Sequence, residues 1–231
     1  RETWYQADPY GMVYIPSGAY NMGPSDQDAP YAVVAQGKTV SVHAFYMDDT
    51  EITNNEYRQF VDWVRDSMAH RLLGEAHLLD EGEYAERINW EEKIRWTDEE
   101  NVETLEEMFL SEQERFYKIK QIDTRKLNFV YYWIDLKEAA RKINREQGMK
   151  DRSVFIKGDT INVYPDTLAW IHDYTYSFNE PMTNMYFWHP AYDDYPVVGV
   201  TWKQARAFCI WRSQLLNTYL DGIGQTRVQE F

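Results

Sequence analysis

The segment TEITNNEYRQFV (residues 50–61) decides where the first long helix of this chain begins. The hydroxyl of Thr53 can accept a hydrogen bond from the amide of Glu56, and the Glu56 carboxylate can accept one from the amide of Thr53. This reciprocal pairing is a capping box, which marks a helix N-terminus. Beyond it, apolar residues recur every three or four positions: Tyr57, Phe60, Val61, Val64 and Met68. This spacing predicts an amphipathic helix with one buried stripe.

A second capping box, Thr201 with Gln204, predicts another helix near the end of the chain. The residues expected on its inner face are Trp202, Ala205, Phe208, Cys209 and Leu216. We expect these two capped helices to frame the core.

Short strands are predicted before the first helix. Residues 12–15 and 19–22 flank Pro16-Ser17-Gly18 and are expected to form a hairpin. Residues 39–47 alternate in polarity and predict one half-buried strand. Strands and helices in separate segments of the chain indicate an α+β fold.

Between the two capped helices the signals are weaker. A helix is expected over residues 135–147, and shorter helices near Thr97 and Ser111. Strands at 154–157 and 161–164 are predicted to pair across Gly158-Asp159, a dipeptide suited to a tight turn.

Composition restricts the possible functions. The chain has 231 residues, of which 44% are hydrophobic, so it can bury a sizeable core. Its net charge of -14 argues against nucleic-acid binding, which depends on Lys and Arg. The single cysteine, Cys209, cannot form an internal disulfide. The first residues lack the layout of a signal peptide and the last resemble an interrupted strand, so we expect a processed chain that continues in the natural protein.

The net charge is concentrated in the middle of the chain. Residues 75–114 contain 15 acids and 3 bases, whereas residues 115–152 contain 5 acids and 11 bases. One interpretation is a solvated helical surface with a compensating neighbour. The other is docking, in which opposite patches meet head to tail between copies or meet a partner's patches.

Three ordered blocks resemble formylglycine-generating-enzyme, or sulfatase-modifying-factor, domains. They are GMVYIPSG (11–18) with YNMG (20–23), FYMD (45–48) with TEITN (50–54), and YPVVGVTW (195–202). The resemblance implies the N-terminal half of that lectin-related fold with a large mixed insertion. The implied organisation is a first part at residues 1–65, an inserted charge-polarised region at 66–189 and a continuation at 190–231.

The enzymes of that family oxidise a substrate cysteine with a copper-binding cysteine pair in the later half of the domain. Cys209 alone cannot supply two thiolates, and we interpret it as a packed helix residue. We therefore predict no catalytic, cofactor or metal residues and no enzymatic activity. Two alternatives stay open: a formylglycine-generating oxidase whose catalytic cysteines follow Phe231, and a glycan-binding module.

A closer resemblance is to the GldK/PorK group of gliding-motility and type IX secretion lipoproteins. It is carried by EITNNEYRQF (51–60), YPDT (164–167) and YFWHPAYDDYP (186–196). This resemblance implies a non-enzymatic ring subunit, held by an N-terminal lipid at the periplasmic face of the bacterial outer membrane. It also implies a homo-oligomeric ring and a GldN/PorN-type ring protein as partner.

Several polar residues could bind a metal or act in catalysis, but each also has a purely structural interpretation. Asp48, Asp49 and Glu51 could hold calcium, but a strand end leading into the Thr53 cap, with Glu51 packed and hydrogen-bonded, fits better. Adjacent Asp193 and Asp194, near His189 and Tyr192, could act as an acid/base pair or form a structural loop. The same alternatives hold for His172-Asp173.

The histidines and aromatic residues complete the candidates. No zinc-binding spacing links the five histidines, His43, His70, His77, His172 and His189. An aromatic cluster could pack internally or anchor a partner: Tyr174, Tyr176, Phe178, Tyr186, Phe187 and Trp188.

Overall fold

The computed structural model describes residues 8–24, 36–79, 87–146, 153–173, 175–176, 181–183 and 185–228. The strands of these ranges are β1 (Met12–Ile15), β2 (Gly18–Met22), β3 (Lys38–Val42), β4 (Phe45–Asp48), β5 (Leu78–Leu79), β6 (Arg87–Ile88), β7 (Asn128–Ile134) and β8 (Ile156–Asn162). The helices are α1 (Asn54–Leu73), α2 (Glu99–Leu105), α3 (Leu136–Ala140), α4 (Lys142–Glu146), α5 (Ala169–Asp173) and α6 (Trp202–Gly222). The predicted mixture of helix and strand is confirmed.

The chain divides into two compact units, residues 1–52 with 212–231 and residues 53–211. This division does not test whether residues 66–189 are an insertion, so that three-part organisation stays a prediction. Across the described ranges, no helix combines the length and apolarity that a bilayer crossing demands.

In the first unit, the strands pair in a nested order. β1 pairs antiparallel with β4 and β2 pairs antiparallel with β3, so the predicted hairpin between residues 12–15 and 19–22 is wrong. Cross-strand contacts explain the choice of partner: Tyr14 meets Tyr46 edge to face at 5.5 Å, and Thr39 Oγ1 donates to Asn21 Oδ1 at 2.7 Å. The single strand predicted at 39–47 is two strands, β3 and β4, because its halves pair with different partners.

The capping box at Thr53 is confirmed. The amide of Thr53 donates to Glu56 Oε2 at 2.8 Å, and the amide of Glu56 donates to Thr53 Oγ1 at 3.3 Å. The predicted stripe of α1 is buried at Tyr57, Phe60, Val61 and Val64 and half-buried at Met68.

The second capping box is also confirmed, by bonds of 2.8 and 3.3 Å between Thr201 and Gln204. The predicted inner face of α6 is partly wrong, since Phe208 is buried but Trp202 and Ala205 are exposed. The cause lies in Gln204, whose amide Nε2 donates to the carbonyls of Asn162 and Tyr164 at 3.1 and 2.9 Å. These bonds turn Gln204 inward and bring a different set to the core, namely Ala207, Phe208, Ile210 and Trp211.

The core of the second unit is aromatic. Phe60 of α1 contacts Trp211 of α6 at 5.1 Å and Phe129 of β7 at 5.2 Å between ring centroids. Tyr57 stacks on Phe208 at 5.6 Å, and its hydroxyl donates to the carbonyl of Val163 at 2.9 Å. The two capped helices therefore pack against each other and against β7 in this unit, as predicted.

The strands between the two capped helices differ from the prediction. β8 is continuous through Gly158-Asp159 and pairs along its whole length with β7, from Asn128↔Asn162 to Ile134↔Ile156, so the predicted turn is wrong. Gly158 lies opposite Tyr132, and a Cβ at residue 158 would come within 2.9 Å of the tyrosine ring. The glycine makes room for an aromatic side chain on the partner strand.

The helix predicted over 135–147 is two short helices, α3 and α4, because Arg141 adopts an extended ψ of 136°. Gln147 lies outside the described residues. Near Thr97 the helix α2 begins after Asp98, one residue later than predicted. Ser111 begins only a turn, in which the amide of Glu114 donates to the Ser111 carbonyl at 2.9 Å.

Candidate interaction surface

The outward face of β7 is apolar. Phe129 and Tyr131 point into the core, while the alternating residues Val130, Tyr132 and Ile134 are exposed by 46%, 62% and 60%. A strand with one solvated face normally carries polar residues there. β7 therefore presents apolar side chains outward as well as inward.

This face continues into a hollow of about 430 Å³ at the end of the β7–β8 pair, where Ile134 lies opposite Ile156. Its lining residues are almost all apolar: Ile134, Leu136, Ala139, Ser153, Phe155 and Ile156. Leu136 and Ile156 are largely exposed, as is the neighbouring Val154. Exposed apolar patches of this kind mark interaction sites on soluble proteins.

Polar contacts fix the edge of the hollow. The Asp135 carboxylate accepts from the Glu138 amide at 3.1 Å, which caps α3, and from Lys157 Nζ at 2.5 Å. The hydrogen bond from Lys157 is the main reason that the pKa of Asp135 lies below its ordinary value. The cap of α3 and the Asp135–Lys157 ion pair therefore lie next to the residues that line the hollow.

A second exposed apolar feature, here called the knob, consists of Phe116, Tyr117 and Ile119. Their side chains are exposed by 67%, 81% and 56%, and the two aromatic rings meet edge to face at 4.3 Å. Tyr117 and Lys118 have φ values of 50° and 57°, in the left-handed region that residues other than glycine rarely adopt. Such strained backbone often accompanies function.

The knob is anchored from behind by ion pairs. Arg115 pairs with Glu106 and also donates to the carbonyl of Leu110 at 2.8 Å, and Lys120 pairs with Glu106 at 2.6 Å. Hydrogen bonds from Lys120 and Arg115 hold the pKa of Glu106 below its ordinary value. Arg115 precedes the knob in the sequence and Lys120 follows it. The apolar side chains between them are exposed.

Some of the opposite charges in residues 75–152 form ion pairs with each other. Glu106 and Glu114 of the acidic stretch pair with Arg115, Lys120 and Arg125 of the basic stretch. Here the compensating-neighbour interpretation is confirmed. Exposed acids nevertheless crowd the start of α2, at Asp98, Glu99, Glu100 and Glu103, and exposed bases lie near the hollow, at Lys137, Arg141 and Lys142.

The residues considered for calcium have other roles. Asp48 accepts two bonds from Arg212 at 2.7 and 2.8 Å, and Arg212 also donates to the carbonyl of Tyr10 at 3.1 Å. Glu51 is exposed, so the expectation that it is packed is wrong. Within the described ranges, no three His, Cys, Asp or Glu residues are grouped as metal ligands would be.

The loop containing Asp193 and Asp194 covers the N-terminus of α1. The backbone amides of Asn54 and Asn55 donate to the carbonyls of Tyr195 and Asp193 at 2.9 and 3.1 Å. The Asp193 side chain pairs with Arg58, and the Asn54 amide group donates to the Tyr192 carbonyl at 2.8 Å. These contacts support the interpretation as a structural loop, which satisfies orphan amides of the helix.

The remaining candidates are dispersed. His189 Nδ1 accepts from the Ala191 amide at 3.1 Å, His172 is exposed and Cys209 is half-buried. The aromatic cluster divides between the two interpretations, because Tyr186 and Phe187 are buried whereas Tyr176 is 93% exposed. Tyr174, Phe178 and the side chain of Asp173 lie outside the described residues.

Sequence reasoning missed both the hollow and the knob. A signal for the first existed, because the segment NFVYYWI (128–134) contains no polar residue at any outward position after Asn128. It also missed the approach of His70 to His77, whose Nδ1 atoms lie 2.9 Å apart.

Two capped helices on an aromatic core, together with paired strands, define an α+β domain with exposed apolar and charged features between the two helices. The chain belongs to the sulfatase-modifying factor enzyme 1-like domain family, whose model matches residues 3–221. The family includes formylglycine-generating enzymes.

A segment of 54 residues is 39% identical to the formylglycine-generating enzyme of Bos taurus. The match covers 23% of this chain and 14% of the bovine protein, so the chain spans only a small part of that relative's length. No solved structure was found to match the chain.

Proposed function

We propose that this chain is a non-enzymatic structural subunit that assembles into a ring in a type IX secretion and gliding-motility apparatus. The observation that carries the proposal is the apolar hollow beside α3, together with the strained knob at residues 116–119. The proposed occupant of the hollow is the knob of a second copy of this chain.

Size and chemistry support this pairing. Two aromatic side chains and an isoleucine match a hollow of about 430 Å³ lined by aliphatic and aromatic groups. Aromatic anchors inserted into a partner's pocket are the usual energetic centres of interfaces. Because knob and hollow are different surfaces, their contact is heterologous and can close into a ring.

Charge supports the same orientation. The knob itself lies among bases, since Lys118 is exposed and Arg115 and Lys120 pair with Glu106, but exposed acids of α2 precede it in the chain. The hollow is followed by the exposed bases Lys137 and Lys142. The acids of α2 on one copy can therefore attract the bases beside the hollow of the next copy, which steers association.

The resemblance to the GldK/PorK group supports the wider setting. On this basis we propose that the chain is a lipid-anchored subunit of the sulfatase-modifying-factor fold at the periplasmic face of the bacterial outer membrane. We also propose that the assembled ring binds a GldN/PorN-type ring protein.

The test uses two variants that each destroy one half of the contact, Tyr117→Glu and Leu136→Glu. Sedimentation velocity at low salt should show large assemblies for the unmodified chain and monomers for each variant alone. A mixture of the two variants should give dimers and nothing larger, because only one intact knob and one intact hollow remain. Leu215→Glu, at a half-exposed position on α6, is the matched control and should assemble normally.

Two results would overturn the proposed contact. The first is an unmodified chain that stays monomeric at low salt, both alone and with the GldN/PorN-type protein. The second is normal assembly of Leu136→Glu with circular dichroism unchanged. The size of the assembly formed by the unmodified chain separates a heterologous interface, which gives species larger than a dimer, from an isologous one, which stops at the dimer.

The similarity to the bovine enzyme favours a second candidate, a formylglycine-generating oxidase acting on a sulfatase cysteine. One cysteine cannot provide a two-thiolate copper site, so this activity requires cysteines outside these 231 residues. Incubation of the whole protein with copper, a cysteine-containing sulfatase peptide, dioxygen as the oxidant and a thiol reductant, followed by mass spectrometry for the aldehyde, tests it. Formation of the aldehyde would replace the structural proposal with an enzymatic one.

A further inference from the structure

A second cavity, of about 410 Å³, lies in the unit of residues 53–211 and shares no residue with the hollow. Its apolar floor is formed by Val61, Ile122 and Leu127. Two further lining residues are aromatic, Tyr164 and Trp188, and the others are polar. This volume lies within the range of small-molecule sites, which usually combine apolar walls with a few polar groups.

The two aromatic lining residues form a platform. Trp188 Nε1 donates to the Tyr164 hydroxyl at 2.5 Å, and the ring planes are inclined by only 29° with centroids 6.3 Å apart. The indole N–H lies in the ring plane, so the bond joins the rings at their edges instead of stacking them face to face. Trp188 is 39% exposed despite this fixation.

Contacts from behind hold the platform in place. The Arg58 guanidinium lies 5.9 Å from the Trp188 ring, pairs with Asp193 and donates to the carbonyl of Phe187 at 3.2 Å. The Tyr164 ring meets Phe187 edge to face at 5.9 Å. The platform therefore needs no rearrangement to receive a flat ligand.

The polar lining of the cavity carries both signs of charge. Arg65 donates to Asp62 Oδ1 and to Asp66 Oδ1, both at 2.7 Å. Burial raises the pKa of Asp62 against the opposing charge of Arg65. Since the guanidinium is shared by two carboxylates, a strong anion finds no uncompensated positive charge here.

The polar groups instead suit hydroxyls. The Asp62 carboxylate can accept, the Arg65 guanidinium can donate, and the exposed Gln121 amide and Thr124 hydroxyl can do both. A pyranose ring has an apolar C–H face that lies flat on an aromatic surface and a periphery of hydroxyls that both donate and accept. This combination matches the aromatic platform and the polar lining, which offers both donors and acceptors.

We infer that the cavity between Trp188 and Asp62 is a binding site for a neutral saccharide, one or two pyranose units of which stack on the Tyr164–Trp188 platform. The inference does not rest on the proposed assembly, because it concerns a different surface. It assigns the chain a carbohydrate contact that a ring subunit does not require.

The experiment titrates the full chain with neutral tetrasaccharides of β-linked glucose, β-linked N-acetylglucosamine and α-linked glucose. Binding is followed by indole N–H shifts in NMR spectra and by calorimetry. At least one saccharide should bind with a Kd below about 10 mM and should shift the Trp188 indole resonance, assigned from the Trp188→Phe spectrum. Gln121→Ala, at an exposed position in the polar lining, should weaken binding without changing the fold.

Trp188→Ala should weaken binding at least about tenfold, which corresponds to roughly 1.4 kcal/mol. Trp202→Ala is the matched control, since Trp202 is 73% exposed and lies outside the cavity, and it should bind normally. If Trp188→Ala fails to fold, Gln121→Ala and the indole shift still decide the question. The inference is overturned if no saccharide binds, if Trp202→Ala loses binding equally, or if only a peptide ligand displaces the Trp188 resonance.

Discussion

The Nδ1 atom of His70 lies 2.9 Å from the Nδ1 atom of His77. At this distance one ring must donate and the other accept, so the contact requires at least one neutral ring. His70 is only 3% exposed, in the last turn of α1, and its ring meets Trp90 edge to face at 5.3 Å. The pair joins the end of α1 to the segment that follows it.

This pair should make the stability of the chain depend on pH. Burial, and then the proximity of His77, lower the pKa of His70 below 6.5, although Asp66 and Glu92 act in the opposite direction. The unfolded state therefore binds more protons near pH 6, and the stabilisation present above pH 6.5 is lost as the pH falls through the lowered pKa of His70. Urea midpoints should decrease from pH 7.5 to pH 5.5.

His70→Gln should flatten this dependence because it removes the titrating ring. His43→Gln is the matched control, since His43 is exposed, and should retain the slope of the unmodified chain. An equal slope in all three proteins would exclude the histidine pair as its cause.

The hydroxyl of Thr53 should contribute measurably to stability. Thr53→Ala removes the acceptor for the Glu56 amide and is expected to lower the free energy of unfolding by about 1 kcal/mol. Thr53→Ser keeps the acceptor and should lower the free energy of unfolding by only about a few tenths of a kcal/mol. Chemical denaturation monitored by tryptophan fluorescence distinguishes them, and equal losses in both variants would show that the cap contributes little.

Gly199 should not tolerate a side chain. Its φ is +74°, and a Cβ there would lie 2.1 Å from the carbonyl oxygen of Asp166, whose amide donates to the Gly199 carbonyl at 2.8 Å. Gly199→Ala is expected to cost about 2–4 kcal/mol, because the strained backbone and the clash add. Gly18→Ala, where no atom lies within 4 Å, is the control and should stay near the unmodified Tm.

Assembly should weaken with salt if the acids of α2 steer it. Replacing Glu99, Glu100 and Glu103 by Gln should shift assembly to higher protein concentration at low ionic strength and reduce its dependence on sodium chloride. Monomer stability should change little, because all three side chains are exposed. Assembly that is insensitive to salt in both proteins would assign the interface to the apolar contact alone.

The predicted helices and the errors around them show what local sequence can specify. Both capping boxes were predicted, because the paired groups lie three residues apart in the chain. The inner face of α6 was not, because Gln204 is turned inward by carbonyls of residues 162 and 164, some forty positions away. Gly158 was interpreted as a turn residue, although the ring of Tyr132 on the partner strand explains it better.

The candidate sites also combine features that local sequence specifies with features that depend on contacts between distant residues. The apolar segment NFVYYWI carried an unused signal for a strand with an apolar outward face, but the hollow beside it depends on α3 and on Phe155, which the pairing of β7 with β8 brings together. The saccharide cavity depends on Asp62 and Trp188, which are 126 positions apart in the sequence.

By itself, the sequence determined the two capped helices, the α+β class, the family blocks and the shortage of thiols, because these follow from residue identity and short spacings. The tertiary structure decided the nested strand pairing, the orientation of α6, the hollow with its knob, and the aromatic platform. Each of those depends on partners far apart in the chain, whose contacts are set by the packing of the whole core and not by any local pattern.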